Sequence, residues 1–369
     1  MRRLTCVCLM AVFSVAAQDP PAAAGTQAAP EPPKSFWRSI KYMGLVDVNY
    51  SLNFNHPSSE TNALRNFDVK ADHADFNYGE IAIEKAAEPI GFRIDIGAGR
   101  TSKIVHGTEQ AGDAFRYIQQ VYLSVKPPKA KGIQFDFGKF VTSAGAEVIE
   151  TNGNWNYSRS LLFAWAIPYY HLGVRSTIPV NKFYTAGVQL VNGWNNVYDT
   201  NTGKTIGLTG ALATSKFSWF HNYYVGPEKS DTNKGQRQLF DNTFLFTPKP
   251  NANFYLNFDY GRDKRIASGV DTWMGVAAAA RFAPTSWFAI APRFEVFNDR
   301  NGFSTGTAQQ LKEFTITGEF KMKQGIIYRL EYRRDWSNVP FFDRGNENAS
   351  SKSQPTILLG IVAYFEKKG

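Results

Sequence analysis

The sequence predicts an all-β protein, a single transmembrane barrel of about sixteen antiparallel strands. Apolar and charged residues alternate from Tyr328 to Arg333, which is typical of a strand whose two faces meet different surroundings. The same alternation recurs along the chain, and short and long connections follow each other in turn. Outside the N-terminus, no apolar run reaches the ~18 residues that a transmembrane helix needs. These observations favour strands as the elements that cross the membrane.

The composition agrees with a large barrel and excludes other classes. The chain has 369 residues, with 41 Lys and Arg against 32 Asp and Glu. A mean hydropathy of −0.32 excludes a helical membrane protein. The basic residues are dispersed over strands and turns, so the basic balance does not predict binding of nucleic acid. Glycines (30) and aromatic residues (15%) are plentiful, as barrel strands and interfacial girdles require.

The N-terminus predicts export from the cytoplasm. Two arginines precede an apolar core, Leu4–Val15, which small residues follow. This order is that of a secretory signal peptide that is cleaved before Gln18. We therefore expect a signal peptide at residues 1–17 and a Pro/Ala-rich periplasmic linker at residues 18–34.

The remaining residues, 35–369, are predicted to form the barrel as one domain. Both cysteines, Cys6 and Cys8, lie within the predicted signal peptide. The mature chain would then have no thiol, which excludes a disulfide framework, a cysteine metal site and a cysteine nucleophile. The five histidines have no metal-ligand spacing, so we expect neither a metal site nor a cofactor.

The alternation of apolar and polar residues predicts each strand in order. The predicted strands are Tyr42–Phe54, Gly79–Lys85, Ile90–Ala98, Gln120–Val125, Ile133–Gly138, Leu172–Ile178, Tyr184–Leu190, Ile206–Leu212, Phe217–Tyr223, Phe244–Phe246, Phe254–Tyr260, Met274–Phe282, Phe288–Val296, Glu313–Phe320, Tyr328–Arg333 and Thr356–Phe365.

The connections between these strands predict the orientation of the barrel, because bacterial outer-membrane barrels have short periplasmic turns and long external loops. The short turns are predicted at 86–89, 127–132, 179–182, 214–216, 248–253, 283–286 and 322–324. The long loops are predicted at 55–73, 101–114, 141–160, 192–204, 226–236, 262–271, 298–310 and 336–353.

The last predicted strand ends in an aromatic residue, Phe365. A terminal strand of this kind resembles the signal that the outer-membrane assembly machinery recognises, so Phe365 is the predicted assembly signal. The chain continues through Glu366–Gly369 and departs from a strictly terminal aromatic residue. An even number of strands places both ends of the barrel domain on the periplasmic side.

Several longer stretches carry a family resemblance. They are Gly138–Phe140, Ala144–Tyr157, Tyr169–Arg175, Asn192–Asn195, Asn222–Glu228, Arg293–Asp299 and Arg329–Trp336. Together they resemble the OmpL-like β-barrel porin family known as porin-2, over roughly residues 37–365. The resemblance implies an outer-membrane channel for passive diffusion of small hydrophilic solutes and ions, in a Gram-negative-type bacterium. It implies no particular solute.

Charged side chains within the strands are expected to face the lumen, since exposing one to lipid at the midplane costs ~2–4 kcal/mol. Such charges set a field across the pore or form ion-pair ladders that solvate the wall, and the sequence leaves both open. The basic excess favours a mild anion preference. The predicted pore-lining residues are Arg93, Asp95, Arg116, Arg175, Arg293, Glu295, Arg329, Glu331 and Arg333.

The long connection Val141–Ser160 is the predicted constriction loop. Loops of this length are usually functional or disordered, and its aromatic residues predict packing against the barrel interior. The alternative, a loop that lies over the external rim, remains open at this stage. The residues proposed to narrow the pore are Glu147, Glu150, Asn154, Trp155, Tyr157 and Arg159.

Passive transport is the leading functional hypothesis, and no enzymatic activity is expected. The alternatives are an outer-membrane barrel enzyme of the lipase or protease type and a surface adhesin or scaffold. An enzyme would need a Ser/His/acid or an acid/His set on adjacent strands, for which His171 and His221 are the candidates within strands. The expected partners are small solutes and ions, outer-membrane lipid, the assembly machinery and, in a homo-oligomer, further copies of the chain.

Overall fold

The computed structural model describes residues 39–109 and 112–367. These residues form one closed barrel of sixteen antiparallel strands, so the predicted fold class and strand number are confirmed. The signal peptide and the linker predicted at residues 1–17 and 18–34 lie outside the described residues and stay predictions.

The barrel strands follow the alternation of the sequence, because successive side chains point to opposite faces of a sheet. Strands β4–β8 have 8–10 residues, whereas β9–β15 have 12–18, so the wall is taller on one side. The barrel strands are β1 (Ile40–Asn53), β2 (His73–Lys85), β3 (Ile90–Ala98), β4 (Ile118–Val125), β5 (Gln134–Val141), β6 (Tyr170–Pro179), β7 (Tyr184–Val191), β8 (Thr205–Ala213), β9 (Phe217–Lys229), β10 (Thr232–Lys249), β11 (Ala252–Lys264), β12 (Val270–Phe282), β13 (Phe288–Asp299), β14 (Gln309–Lys321), β15 (Ile326–Ser337) and β18 (Ser353–Lys367).

Strand β18 closes the barrel, since it pairs with β15 on one side and with β1 on the other. In the closing pair, Phe365 lies opposite Gly44 and Thr356 lies opposite Asn53. Closure pairs every edge, which a membrane-spanning sheet requires because lipid cannot hydrogen-bond to free backbone groups. Two short strands, β16 (Phe342–Arg344) and β17 (Glu347–Ser351), form a separate hairpin between β15 and β18.

The two faces of the barrel differ as the sequence predicts. Leu330 and Phe294 point outward and are about half exposed, whereas their neighbours Glu331 and Glu295 point inward and are buried. The outer face is therefore apolar, as contact with lipid requires, and the inner face is polar and charged.

Short connections lie at one end of the barrel and most long connections at the other, and we call these ends periplasmic and external. Two predicted long loops are wrong. Strands β9 and β10 continue through 226–236 and leave a turn at residues 230–231, and β11 and β12 leave only 265–269 between them. Polar residues on both faces weaken the sequence pattern there, but the backbone hydrogen bonds continue.

The hydrophobic core lies inside the barrel, not between layers. It combines aromatic and aliphatic side chains of the wall with those of the connection between β5 and β6. Two short helices, α1 (Arg100–Val105) and α2 (Leu161–Trp165), belong to the connections. Across the described part of the chain, no helix combines the length and apolar character needed to span a membrane.

The first prediction concerns assembly. Phe365 is 60% exposed on the closing strand, and its ring covers the backbone of Gly44, where an added Cβ would lie 2.2 Å from a ring carbon. We predict that Phe365→Asp sharply lowers the amount of assembled barrel and leaves export intact, because a carboxylate would replace this ring at the membrane boundary. The heat-modifiable fraction on a gel measures assembly.

The matched control for this variant is Ile266→Asp. Ile266 is also exposed, but it lies in the β11–β12 connection, so its variant should assemble like the wild type. Normal assembly of Phe365→Asp would show that this side chain is not part of the signal.

Candidate functional site: a segment anchored inside the barrel

The connection between β5 and β6, residues 142–169, lies inside the barrel, and we call it the inserted segment. It begins and ends at one wall, since Val141 of β5 pairs with Tyr170 of β6. It contains a 3₁₀ turn at Thr151–Gly153 and the helix α2. Most of its side chains are buried, so the interior placement that the sequence favours agrees with this arrangement, and a loop over the external rim does not.

Arginines of β13 and β15 hold the segment by its backbone. Arg329 donates to the carbonyl oxygens of Thr151 at 2.7 Å and Asn156 at 3.2 Å, and also to that of Asn154. Arg293 donates from Nη1 to the Ser158 carbonyl oxygen at 2.8 Å. Guanidinium groups suit this role because they present five donors in a fixed plane.

Arg333 adds to this contact from the same strand as Arg329. It donates to the carbonyl oxygen of Arg159 and to the hydroxyl of Ser158, the latter at 3.2 Å. Asp335 accepts from it at 2.8 Å, which balances its charge.

Carboxylates of the same wall accept from backbone N–H groups of the segment. Glu331 accepts from Tyr157 at 2.7 Å and from Ser158 at 3.0 Å. Glu295 accepts from Leu161 at 3.0 Å and from Leu162 at 3.2 Å, at the start of α2. The acidic group thus lies where the free N–H groups of a helix begin.

The charges of this wall are paired as well as hydrogen-bonded. Arg293 lies 2.7 Å from Glu147 of the segment and 3.1 Å from Glu313 of β14. Arg329 lies 2.7 Å from Glu319. Removing one partner of such a buried pair typically costs about 3–5 kcal/mol. We conclude that these interactions anchor the segment firmly.

Tyr157 fixes the segment to the closing seam of the barrel. Its hydroxyl donates to Asp47 of β1 and accepts from Asn49 Nδ2 at 3.0 Å. Its ring covers the backbone of Gly360 of β18, where an added Cβ would lie 2.1 Å from a ring carbon. Burial, together with the Asp47 carboxylate, raises the pKa of Tyr157 well above its usual value, so its hydroxyl keeps its proton.

Aromatic contacts attach the segment to the tall side of the barrel and to the β1–β2 connection. Trp155 packs on Tyr255 of β11 with 5.1 Å between ring centroids. Trp273 of β12 donates to the Ala166 carbonyl oxygen at 3.0 Å. Phe67 of the β1–β2 connection packs 5.7 Å from Phe163, and the Arg159 guanidinium lies over it. The segment thus fills the interior on this side.

The opposite wall is different, and a cleft separates the segment from β3 and β4. Among the described residues, no hydrogen bond joins the segment to either strand. The cleft has a volume of about 30 Å³, which is room for about two water molecules. Its polar lining consists of Arg93, Gln120, Thr142, Glu147 and Glu150.

Within the cleft, Arg93 is paired and Glu150 is not. Arg93 contacts Asp95 at 2.8 Å and Glu84 at 3.3 Å. The Glu150 carboxylate, which is partly exposed, forms no hydrogen bond or ion pair with any described residue.

The predicted pore-lining residues thus fall into three groups. Arg93, Asp95 and Arg175 lie on the wall of β3–β6, where Arg175 pairs with Asp136 at 2.8 Å. The five from β13 and β15 face inward but are completely covered by the inserted segment: Arg293, Glu295, Arg329, Glu331 and Arg333. The sequence places Arg116 on the wall, and this is wrong, because Arg116 ends a 3₁₀ turn in the β3–β4 connection. The backbone of Arg116 therefore lies before the first residue of β4, Ile118, and is not part of a barrel strand.

The predicted constriction residues all lie in the inserted segment. Trp155, Tyr157 and Arg159 are buried against the barrel interior, and Glu147 is paired with Arg293. Asn154 holds the segment's own fold, since its side chain bonds the Val148 backbone at 2.9 and 2.8 Å. Of the described carboxylates that line the cleft, Glu147 and Glu150, only Glu150 has no hydrogen-bond or ion-pair partner.

Several anchoring residues have no distinctive signal in the sequence. Asp47 and Asn49 are ordinary polar positions of an alternating strand, and Gly360 is one of 30 glycines. The sequence pattern predicts that Asp47 and Asn49 face the interior. Their contact with Tyr157 joins parts of the chain that lie more than 100 residues apart in the sequence. Sequence patterns alone do not show such contacts.

The comparison with protein families decides the identity of the chain. The model described as "Putative beta-barrel porin-2, OmpL-like" matches residues 39–365. This chain belongs to that porin family. The resemblance found in the sequence is therefore confirmed, and the protein is an outer-membrane porin. None of the curated proteins matches it.

Solved porins share the barrel of this porin. Salmonella typhi OmpF, in complex with daunomycin, is 12% identical with a TM-score of 0.60, covering 89% of this chain and 99% of that chain. The anion-selective porin from Comamonas acidovorans is 10% identical with a TM-score of 0.59, covering 89% and 99%. The channel DcaP of Acinetobacter baumannii is 10% identical with a TM-score of 0.58, covering 88% and 97%. At such identities the likeness shows the fold alone.

The two histidines considered for catalysis have structural contacts in this porin. His171 stacks on Tyr224 and its Nδ1 lies 2.8 Å from the Gly193 carbonyl oxygen. His221 lies 3.0 Å from the Tyr184 hydroxyl. In the described ranges, no group of three or more His, Cys, Asp and Glu side chains is arranged to hold a metal ion.

The second prediction concerns the anchor. We predict that Arg329→Met loosens the inserted segment, because three backbone carbonyl groups lose their charged donor and each such bond contributes about 1.5–3 kcal/mol. Protease cleavage within 142–169 should become markedly faster in detergent micelles. Arg281→Met is the control, since Arg281 contacts the same Glu319 at 2.7 Å but no residue of the segment. Equal cleavage in both variants would contradict the anchoring role.

The third prediction concerns the packing of the Tyr157 ring on Gly360. Gly360→Val should displace the ring and lower the temperature of the heat-modifiable transition, since overpacking costs about 1–3 kcal/mol. Gly318→Val is the control, because its nearest neighbour would be a Phe320 ring carbon at an ordinary 3.5 Å. If both variants melt alike, the close packing of Tyr157 on Gly360 does not contribute to stability.

Proposed function

We propose that this porin lets small hydrophilic solutes and ions diffuse along the cleft between the inserted segment and the wall of β3 and β4. The observation that carries the proposal is the uneven attachment of the segment. Hydrogen bonds and ion pairs join it to β1 and to β13–β15, and none joins it to β3 or β4 among the described residues. We therefore place the path of the solutes between the inserted segment and β3 and β4, where no hydrogen bond between described residues has to break.

The inserted segment acts as the constriction in this proposal. A cleft of about 30 Å³ admits water but no larger solute, so passage of a solute requires the segment or the β3–β4 connection to move. Motions of loops occur on timescales of nanoseconds to microseconds and collective motions on longer ones. The anchored side would remain in place while the free side opens.

Export and assembly complete the proposal. The signal peptide would direct the chain to the periplasm, and Phe365 would direct the barrel to the assembly machinery. The apolar outer face supports lipid as its surroundings. A trimer form is known for OmpT of Vibrio cholerae, which shares the fold at 10% identity, and we propose that this porin also forms a homo-oligomer.

The fourth prediction tests the constriction in planar bilayers. Replacing residues 145–165 by a short Gly/Ser linker should raise single-channel conductance severalfold, because the linker leaves the interior open. A short linker suffices, since the Thr142 N–H already donates to the Tyr169 carbonyl oxygen at 2.9 Å.

The control is the same replacement at residues 345–348, in the external hairpin of β16 and β17, which should leave conductance unchanged. Unchanged conductance of the 145–165 variant would show that the inserted segment does not limit passage. Absence of any conductance in the wild-type porin would contradict the channel function itself.

A further inference from the structure

The cleft carries an acidic excess that the net charge of the chain conceals. The Glu150 carboxylate and the Arg93 guanidinium line it, and the carboxylates of Glu84 and Asp95 contact Arg93. Arg93 is committed to Glu84 and Asp95, at 3.3 and 2.8 Å. Its charge is therefore used within the wall, and acidic groups remain in excess along the path.

Glu150 is the group best placed to meet a passing ion. It lines the cleft from the inserted segment, it is partly exposed, and its carboxylate has no hydrogen-bond or ion-pair partner among the described residues. The Asp95 carboxylate lies on β3, the strand on the other side of the cleft, 2.8 Å from Arg93. Carboxylates that face one another across a narrow passage attract cations and repel anions.

The basic groups that would oppose this effect are removed from the cleft. Arg293, Arg329 and Arg333 are 0–1% exposed and are paired with carboxylates. The inserted segment lies over them and uses their donors for its own backbone. A charge that is neutralised in this way contributes little to the field along a separate path.

Other basic groups near the cleft are held by backbone partners. Arg159 of the inserted segment is buried and donates to the Val148 carbonyl oxygen at 3.0 Å, and Lys139 of β5 is buried and donates to the Phe115 carbonyl oxygen at 2.9 Å.

Two lysines lie near the periplasmic end. Lys41 of β1 lies 3.8 Å from Glu84, and Lys321 of β14 lies 3.5 Å from Glu319, which also pairs with Arg281. Lys41 offsets one carboxylate beside the cleft. Glu84 and Asp95 share the Arg93 guanidinium. The Glu150 carboxylate forms no hydrogen bond or ion pair with a described residue, so it remains available to an ion in the cleft.

We infer that the porin selects small cations, with Glu150 as the selectivity-determining residue and the carboxyl groups of Glu84 and Asp95 beside it. This inference rests on the proposed path along the cleft. It names the class of solute that the path favours, and it is opposite to the mild anion preference that the net charge of the sequence predicts. The same measurement therefore decides between the two.

The fifth prediction is tested by the reversal potential of the purified porin in a KCl gradient. The wild type should show a cation-to-anion permeability ratio above one, and Glu150→Gln should lower this ratio by about twofold or more at 0.1 M salt. The difference should shrink at 1 M, where the Debye length falls from ~10 Å to ~3 Å. Because the Glu150 side chain bonds no described residue, the variant should fold like the wild type, which heat-modifiable migration checks.

The matched control is Glu347→Gln, which removes the same charge from an exposed residue of the external hairpin and should leave the ratio unchanged. A second variant tests access directly. In a chain with Cys6→Ser and Cys8→Ser, Glu150→Cys should react with a cationic methanethiosulfonate reagent, and the added charge should shift the selectivity further towards anions.

The outcomes separate this inference from the proposed function. Conductance with an anion preference, or with a ratio that Glu150→Gln leaves unchanged, would overturn the inference while the channel function stands. Absence of conductance in the wild type would overturn both. A ratio above one that falls in Glu150→Gln, but not in Glu347→Gln, would support the inference.

Discussion

An irregular segment can lie inside a membrane barrel only if its backbone polar groups find partners there, because unpaired N–H and C=O groups are costly away from water. In this porin the partners are charged side chains of the wall. Arg329 and Arg333 supply donors to carbonyl groups, and Glu295 and Glu331 supply acceptors to N–H groups. The barrel wall thus performs for the segment the role that a neighbouring strand performs in a sheet.

This constraint explains the asymmetry of the interior. The backbone groups of the segment on the side of β13–β15 take up the charges of that wall. A cleft remains on the side of β3 and β4, and the segment's Glu150 carboxylate lines it without a hydrogen-bond or ion-pair partner among the described residues. The charged face that stands out most in the sequence therefore binds the inserted segment, whereas the path that we propose for solutes lies where the segment has no hydrogen bonds to the described wall. A charged residue in the sequence does not always act on a passing solute, because a buried ion pair neutralises the charge within the wall.

The sequence predicts some features of the candidate site and not others. The inward phase of Arg293, Glu295, Arg329, Glu331 and Arg333 follows from period-two alternation together with the cost of charge in lipid. The length of the 141–160 connection and its aromatic residues indicated packing inside the barrel. The extension of the segment to residue 169 with α2, and the contact of Tyr157 with Gly360, could not be predicted. They depend on which residues meet across the lumen, and strand periodicity holds no information about that.

The sequence by itself determined the class of protein, the number of strands and which face of each strand meets lipid, since alternation and turn spacing are local properties of the chain. Only the tertiary structure decided which of the inward charges meet water. Arg329 and Glu150 are both charged residues expected at the interior. The folded chain buries Arg329 under three backbone carbonyl groups, whereas the Glu150 carboxylate has no hydrogen-bond or ion-pair partner in the described ranges. The burial of Arg329 arises from contacts between residues 173–178 positions apart, and it exists only when the barrel is closed around the segment.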